Sequence, residues 1–332
     1  MRILYVAMAD DYGRPELGPS FEETTFKSAL AGMGHELVHF DFMARERAVG
    51  REAMNRELVA AAAEARPDLA FFFLFEEEIA PDTIRAVRRE GGAPTVNWFA
   101  DDHWRFESFT RRYAPAFDWA VTTDRDALPR YAALGHPGAI LSQWACNRYA
   151  YARVATGLEH GVTFVGQPHG TRPQAIAALR EAGIEVECFG RGWPAGKIEH
   201  DAMVRVFSTS RINLNLSNSS DPPRSLRARL GALVRGIRHE PRPSQIKGRT
   251  FEVPGCGGFL LTDRVPYLED YLVPGREIGV YEGEDDLLVQ LRYWLDHEEE
   301  RAAVAQAGYQ RVLAEHTYDH RFAAIFDRIG VG

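Results

Sequence analysis

Chemically useful side chains are densest between Gln245 and Asp263, in the run Gln-Ile-Lys-Gly-Arg-Thr-Phe-Glu-Val-Pro-Gly-Cys-Gly-Gly-Phe-Leu-Leu-Thr-Asp. Lys247 and Arg249 suit a diphosphate, because cations close to a helix N-terminus neutralise phosphate oxygens. Glu252 suits the adjacent hydroxyls of a ribose, since one carboxylate accepts two hydrogen bonds. Gly255, Gly257 and Gly258 would end a short helix and let backbone approach a ligand, which a missing Cβ permits. A glycine-rich turn flanked by solvated charges explains the same residues without a ligand. A second constellation, Asn97-Trp-Phe-Ala-Asp-Asp-His-Trp104, sets Asp101, Asp102 and His103 directly after a predicted strand. These side chains can move or orient a proton; the bland reading is an Asp pair capping a helix. Asp10, Asp11, Tyr12 and Glu76 follow other strands and are weaker candidates of the same kind.

Two further patterns bear on ligands. Gly190-Arg-Gly-Trp-Pro-Ala195 formally fits the dinucleotide fingerprint G-x-G-x-x-A. Pro194 and Gly196 fall where the crossover helix should continue, and the first strand of the chain lacks such glycines, so a nicotinamide cofactor is not expected. From Arg224 to Arg249 the chain carries Arg224, Arg227, Arg229, Arg235, Arg238, Arg242, Lys247 and Arg249 against a single Glu240. With Leu226, Leu230, Leu233 and Ile237 at helical spacing, this reads as an exposed amphipathic insertion. Its alternatives are a lip for an anionic donor, a seat for a phosphorylated lipid carrier, or a peripheral membrane contact. Cys146, Cys188 and Cys256 are odd in number and far apart, so neither a metal site nor a disulfide framework is expected.

The elements that must position these residues are legible from periodicity. A chain of 332 residues is comfortable as two domains, and 45% hydrophobic with 26% charged residues is an ordinary globular composition. A net charge of -8 disfavours nucleic acid as a partner. No apolar run nears the roughly 20 residues of a membrane helix, and the N-terminal run meets Asp10 and Asp11 too early for a signal peptide, so a soluble cytoplasmic protein is expected. Apolar runs at 2–7, 36–42, 69–75, 95–99, 119–122 and 139–141 read as strands, with helices between them, notably 21–32 and 55–65. The pattern lapses over 147–161 and restarts with strands at 162–166, 185–189, 212–216 and 259–262 and helices at 173–182 and 201–208, before three helical stretches from 284 to about 329. Strands alternating with helices twice over predict an α/β fold with two parallel sheets.

The Gln245–Asp263 segment resembles the donor-domain signature of the CgeB-like, spore-maturation-type glycosyltransferases, group 1 transferases of GT-B fold. Phe164-Val-Gly-Gln-Pro-His-Gly-Thr-Arg172, Val186-Glu-Cys-Phe-Gly-Arg-Gly-Trp193 and Ser210-Arg-Ile-Asn-Leu-Asn-Leu-Ser217 look like that family's successive donor-domain strands. Gly275-Arg-Glu-Ile-Gly-Val-Tyr281, Ala305 to Val312 and His316 to Arg321 look like its closing helices. The resemblance implies two facing Rossmann-like domains: an acceptor domain over 1–155, a donor domain over 156–315, and a helix over 316–332 returning to the first. It implies a nucleotide-diphosphate sugar as co-substrate, a hydroxyl acceptor, and neither cofactor nor metal.

On the residues, it matches Glu252 to the second carboxylate of a Glu-x7-Glu pattern that holds the ribose. Ser244 stands where the first carboxylate would be, so the stereochemical outcome stays open. Gly166 and Arg172 are implied to face the diphosphate, Gly190 and Trp193 the nucleobase, and Ser217, Lys247, Arg249 and Gly257 the rest of the donor. A plain βα turn and a core tryptophan are the bland readings. A non-hydrolysing sugar-nucleotide epimerase and a non-catalytic nucleotide-sugar-binding module are the competing functions.

Overall fold

The computed structural model describes residues 1–154, 157–217 and 245–332. The expected insertion therefore lies outside the described residues from Arg224 to Arg242, as does Ser244. The chain divides into two compact units, Met1–Gln143 with Tyr318–Gly332, and Trp144–Thr317.

The strands of the first unit are β1 (Arg2–Val6), β2 (Glu36–Phe40), β3 (Leu69–Phe72), β4 (Thr95–Phe99), β5 (Trp119–Thr122) and β6 (Ala139–Leu141). All six run parallel in one sheet, in the order β2-β1-β3-β4-β5-β6. Ile3 to Val6 and the whole of β3 are buried, as continuous apolar runs in a sheet covered on both faces should be. Helix boundaries follow local chemistry. Pro81 opens the helix Pro81–Gly91, where its missing N–H costs nothing, and Gly92 at φ 74° closes it. The helix Tyr318–Ile329 belongs to this unit: Phe322 meets Phe26 and Phe71 edge-on, with centroids 5.4 and 5.7 Å apart.

The strands of the second unit are β7 (His160–Val165), β8 (Val186–Phe189), β9 (Ser210–Asn215), β10 (Leu260–Asp263) and β11 (Gly279–Tyr281). They too are parallel, in the order β11-β10-β9-β7-β8. The last corrects the expectation that Gly275 to Tyr281 joins the closing helices. Gly275, at φ 74°, takes a turn bridged between Pro274 and Ile278, and the following three residues pair with Leu261 to Asp263 as an edge strand. One face of this sheet carries a core that includes Phe164, Ile176, Leu214 and Trp294, and the other a core that includes Phe207, Phe251, Val253 and Cys256. The chain passes from β7 to β8 on one side, then returns past β7 to β9. The strand order thus reverses between β7 and β9, and ligands of open α/β sheets bind outside the strand C-termini at such a reversal. No described helix is long and apolar enough to cross a membrane.

Candidate functional site

The reversal between β7 and β9 is bridged by one side chain. Arg172 begins the helix Arg172–Glu181 after the β7 loop. Its Nε and Nη2 donate to the carbonyl of Leu216 at the end of β9, at 3.0 and 2.8 Å, and its Nη1 donates to the carbonyl of Gln167 at 3.1 Å. Three of five N–H groups are thereby fixed to backbone, and two remain. Among the described residues no carboxylate reaches ion-pairing distance of this half-buried cation. Burial lowers its pKa; the charges of Asp263 and Tyr281 oppose that, and Arg249 adds to it.

Arg172 lines a cavity of about 400 Å³ with Thr171, Leu216, Asp263, Tyr281 and Glu284. Its walls are the C-terminal ends of β9, β10 and β11 and the first turns of the helices Arg172–Glu181 and Gly283–Asp296. Asp263 closes β10. Its Oδ1 accepts from the Ser217 N–H at 3.0 Å and the Thr262 hydroxyl at 3.3 Å. Burial raises its pKa, and hydrogen bonds from the Ser217 hydroxyl and N–H and the Thr262 hydroxyl work against the rise. Tyr281 donates its hydroxyl to the Asn215 carbonyl at 3.1 Å, and burial pushes its pKa upward.

Gly166, Gly190 and Trp193 come together beside Arg172 as one knot. The Trp193 indole N–H donates to the Gly166 carbonyl at 2.8 Å, and Gly166 donates its own N–H to the Phe189 carbonyl at 2.8 Å. Gly190 sits at φ 140°, and a Cβ there would collide with the Gly166 carbonyl. Trp193 meets Phe164 edge-on, with centroids 6.2 Å apart. Ser217 joins the same region through Asp263, and its hydroxyl accepts from Asn215 Nδ2 at 2.9 Å.

Arg249 and Glu252 lie in the helix Arg249–Gly255, which packs into the core of the opposite sheet face. They form an ion pair, Arg249 Nη1 to Glu252 Oε2, with the Glu252 side chain only 2% exposed. The Arg249 guanidinium lies 5.1 Å from the Phe207 ring centre, and its Nε is buried with no hydrogen-bond partner. The Tyr151 hydroxyl also bonds this guanidinium, whose pKa burial lowers while Glu252 and Tyr151 raise it further. Lys247 lies at the approach to this helix, where its carbonyl accepts from Thr250 N–H at 3.0 Å. The glycines of the segment face protein. Gly257, at φ 74°, turns the chain against Arg153, and a Cβ on Gly255 or Gly258 would strike Cys146 or the Phe207 carbonyl. Neither Glu252 nor Arg249 lines the cavity.

In the first unit the three acid–base candidates part company. Asp102 is 1% exposed and accepts from the Thr110 hydroxyl at 2.6 Å and the Tyr131 hydroxyl at 2.8 Å. Burial pushes its carboxyl up to about 6 against these bonds. Asp101 and His103 flank it and are partly exposed; the Asp101 carbonyl accepts from Trp104 and Arg105. No cluster of three or more metal-ligating side chains occurs among the described residues. Thr171, Asp263, Tyr281 and Glu284 were given no role by sequence reasoning. Asp263 ended the quoted motif, but only the β9–β10 pairing reveals that it faces a cavity.

Residues 172–327 match a protein family described as glycosyl transferase-like, a match that opens on Arg172. Spore protein CgeB of Bacillus subtilis is 22% identical over 242 residues, 68% of this chain and 72% of that protein. Among solved structures, sucrose-phosphate synthase of Thermosynechococcus elongatus is 12% identical with a TM-score of 0.62, over 99% of this chain and 97% of that one. HepE of Anabaena, in complex with UDP and glucose, is 11% identical with a TM-score of 0.62, over 99% and 98%. A glycosyltransferase from Rickettsia africae is 8% identical with a TM-score of 0.63, over the same shares. The fold is the α/β GT-B fold, and the resemblance to CgeB read from the sequence is found.

Proposed function

We propose that this GT-B glycosyltransferase takes its sugar from a nucleoside-diphosphate donor seated in the second unit beside Arg172, and passes it to a hydroxyl acceptor. The observation that carries this reading is the cation itself. Arg172 is held by three backbone hydrogen bonds at the reversal of strand order, lines a cavity, and has no carboxylate partner among the described residues. A half-buried, unneutralised guanidinium is costly unless an anion completes it. A diphosphate supplies that anion, and HepE, of the same fold, is seen with UDP and with UDP-glucose.

In the reaction the acceptor oxygen bonds to the anomeric carbon as the bond from that carbon to the diphosphate breaks, and the electron pair leaves with the diphosphate. Negative charge grows on the leaving group. A cation already oriented by Leu216 and Gln167 stabilises it without reorganisation, which is where fixed electrostatics act most strongly. Arg249 adds positive potential from the opposite face while holding Glu252 in place. The reading is metal-independent, with Arg172 supplying the charge that a divalent ion supplies elsewhere, and chelator should leave turnover unchanged. The acceptor proton is assigned to the partly exposed Asp101 and His103 rather than to Asp102, whose carboxyl is engaged by two hydroxyls. A reducing, cytoplasmic setting suits three buried cysteines, none of them in a disulfide.

The test is release of nucleoside diphosphate from UDP-, GDP-, dTDP- and CDP-sugars, with and without a library of hydroxyl acceptors. Acceptor-dependent release from one donor, reduced by about 10² to 10³ in Arg172→Gln, is the expected result. Conversion of the donor sugar without acceptor would instead establish an epimerase. Binding without conversion would establish the non-catalytic module.

A further inference from the structure

The cavity carries two charges that do not meet. Arg172 occupies one wall and Asp263 the end of β10, close enough to act on each other electrostatically and too far apart to pair. The Asp263 carboxylate is aligned by its neighbours: Oδ1 accepts from the Ser217 N–H and the Thr262 hydroxyl, and the Ser217 hydroxyl bonds the same carboxylate. No cation lies at ion-pairing distance of it among the described residues. Arg264, the adjacent cation, does not fill that place, because Glu269 and Glu282 hold it, the latter at 2.7 Å. Tyr281 does not bond the carboxylate, since its hydroxyl is spent on Asn215. The cavity thus presents a cation with two N–H groups to spare and, across from it, a carboxylate aligned by Ser217 and Thr262 that no cation neutralises among the described residues.

A ligand satisfying both must carry an anion and, a few ångströms away, a hydrogen-bond donor. On the reading of the cavity as a nucleotide seat, we infer that Asp263 is its specificity-determining residue, accepting a hydrogen bond from a hydroxyl of a nucleoside diphosphate or its sugar while Arg172 takes the phosphate. A carboxylate facing the cavity discriminates strongly, because a ligand lacking the hydroxyl desolvates that charge without compensating it. The hydroxyl belongs either to the ribose or to the transferred sugar, and the choice of probe separates them.

The experiment is calorimetric titration of the full chain with UDP, 2′-deoxy-UDP and UDP-glucose, in wild type, Asp263→Asn and Arg172→Gln. Asparagine keeps an Oδ1 for the Ser217 N–H, so the fold is retained, and it puts a donor where the acceptor stood. If the ribose is read, wild type prefers UDP over its 2′-deoxy analogue by about tenfold to a hundredfold, and Asp263→Asn abolishes that preference. If the sugar is read, Asp263→Asn weakens UDP-glucose by the same factor and leaves UDP unchanged. Equal affinities of wild type and Asp263→Asn for all three ligands, with Arg172→Gln weakened, would overturn the inference and leave the nucleotide seat standing. Binding of no ligand to wild type would overturn the seat as well.

Discussion

Glu22 and Asp102 show how a single buried carboxyl reports its surroundings. Glu22 is 6% exposed, opens a π-helical turn after the β1 loop, and has no cation at ion-pairing distance among the described residues. Burial drives its pKa from 4.5 to about 7, opposed by hydrogen bonds from its own backbone and from Ser20 and reinforced by Asp11; Tyr5 lies close by. The folded state therefore holds a proton that the unfolded chain has released between these values. Stability contributed by this group is full below about pH 4.5 and is lost as pH rises through about 7. Glu22→Gln should thus raise unfolding free energy at pH 8 by on the order of 3 kcal/mol relative to pH 5. Urea titrations at the two pH values check it; an unaltered pH dependence in the variant contradicts it. Asp102→Ala, which strands the Tyr131 hydroxyl, should destabilise by about 2 to 3 kcal/mol without weakening nucleotide binding. In the sequence Asp101, Asp102 and His103 are three equal candidates. Which one turns inward depends on Tyr131, 29 residues further on, and no local pattern carries that.

Elements were more legible than side-chain roles, for a definable reason. Runs such as Ile3 to Val6 and Leu69 to Phe72 are long enough to announce a buried strand, whereas the three residues of β11 are not. The glycines show the converse limit. Their positions were evident, but whether they face a ligand or protein depends on what packs opposite. Gly190 is the sharpest case, because it lets the β8 loop lie against the Gly166 carbonyl that Trp193 also grips. Gly190→Ala should part these loops, costing about 1 to 3 kcal/mol from the unfavourable φ and the collision. Its signature would be a red shift of Trp193 fluorescence as the indole loses its packing against Phe164. A spectrum and melting point equal to wild type would show that the knot does not depend on the missing Cβ.

At the scale of the whole molecule, both units are parallel sheets with helices on their faces. The second concentrates a cation with no carboxylate partner among the described residues, an aligned carboxylate and a cavity at one reversal of strand order. The two-sheet α/β plan could be read from alternating strands and helices, and the motif series pointed to the second half as the donor side. The cavity could not be read, since its lining runs from Thr171 to Leu287 along the chain and is brought together only by sheet pairing. The match to a glycosyl transferase-like family spans that same region, residues 172–327. The decisive experiment is a crystal structure of the chain with UDP bound. Diphosphate oxygens are expected within hydrogen-bonding distance of Arg172, with the nucleoside in the cavity lined by Thr171, Leu216 and Asp263. A nucleotide bound elsewhere, with Arg172 still facing only the carbonyls of Leu216 and Gln167, would contradict the donor site placed at the strand reversal.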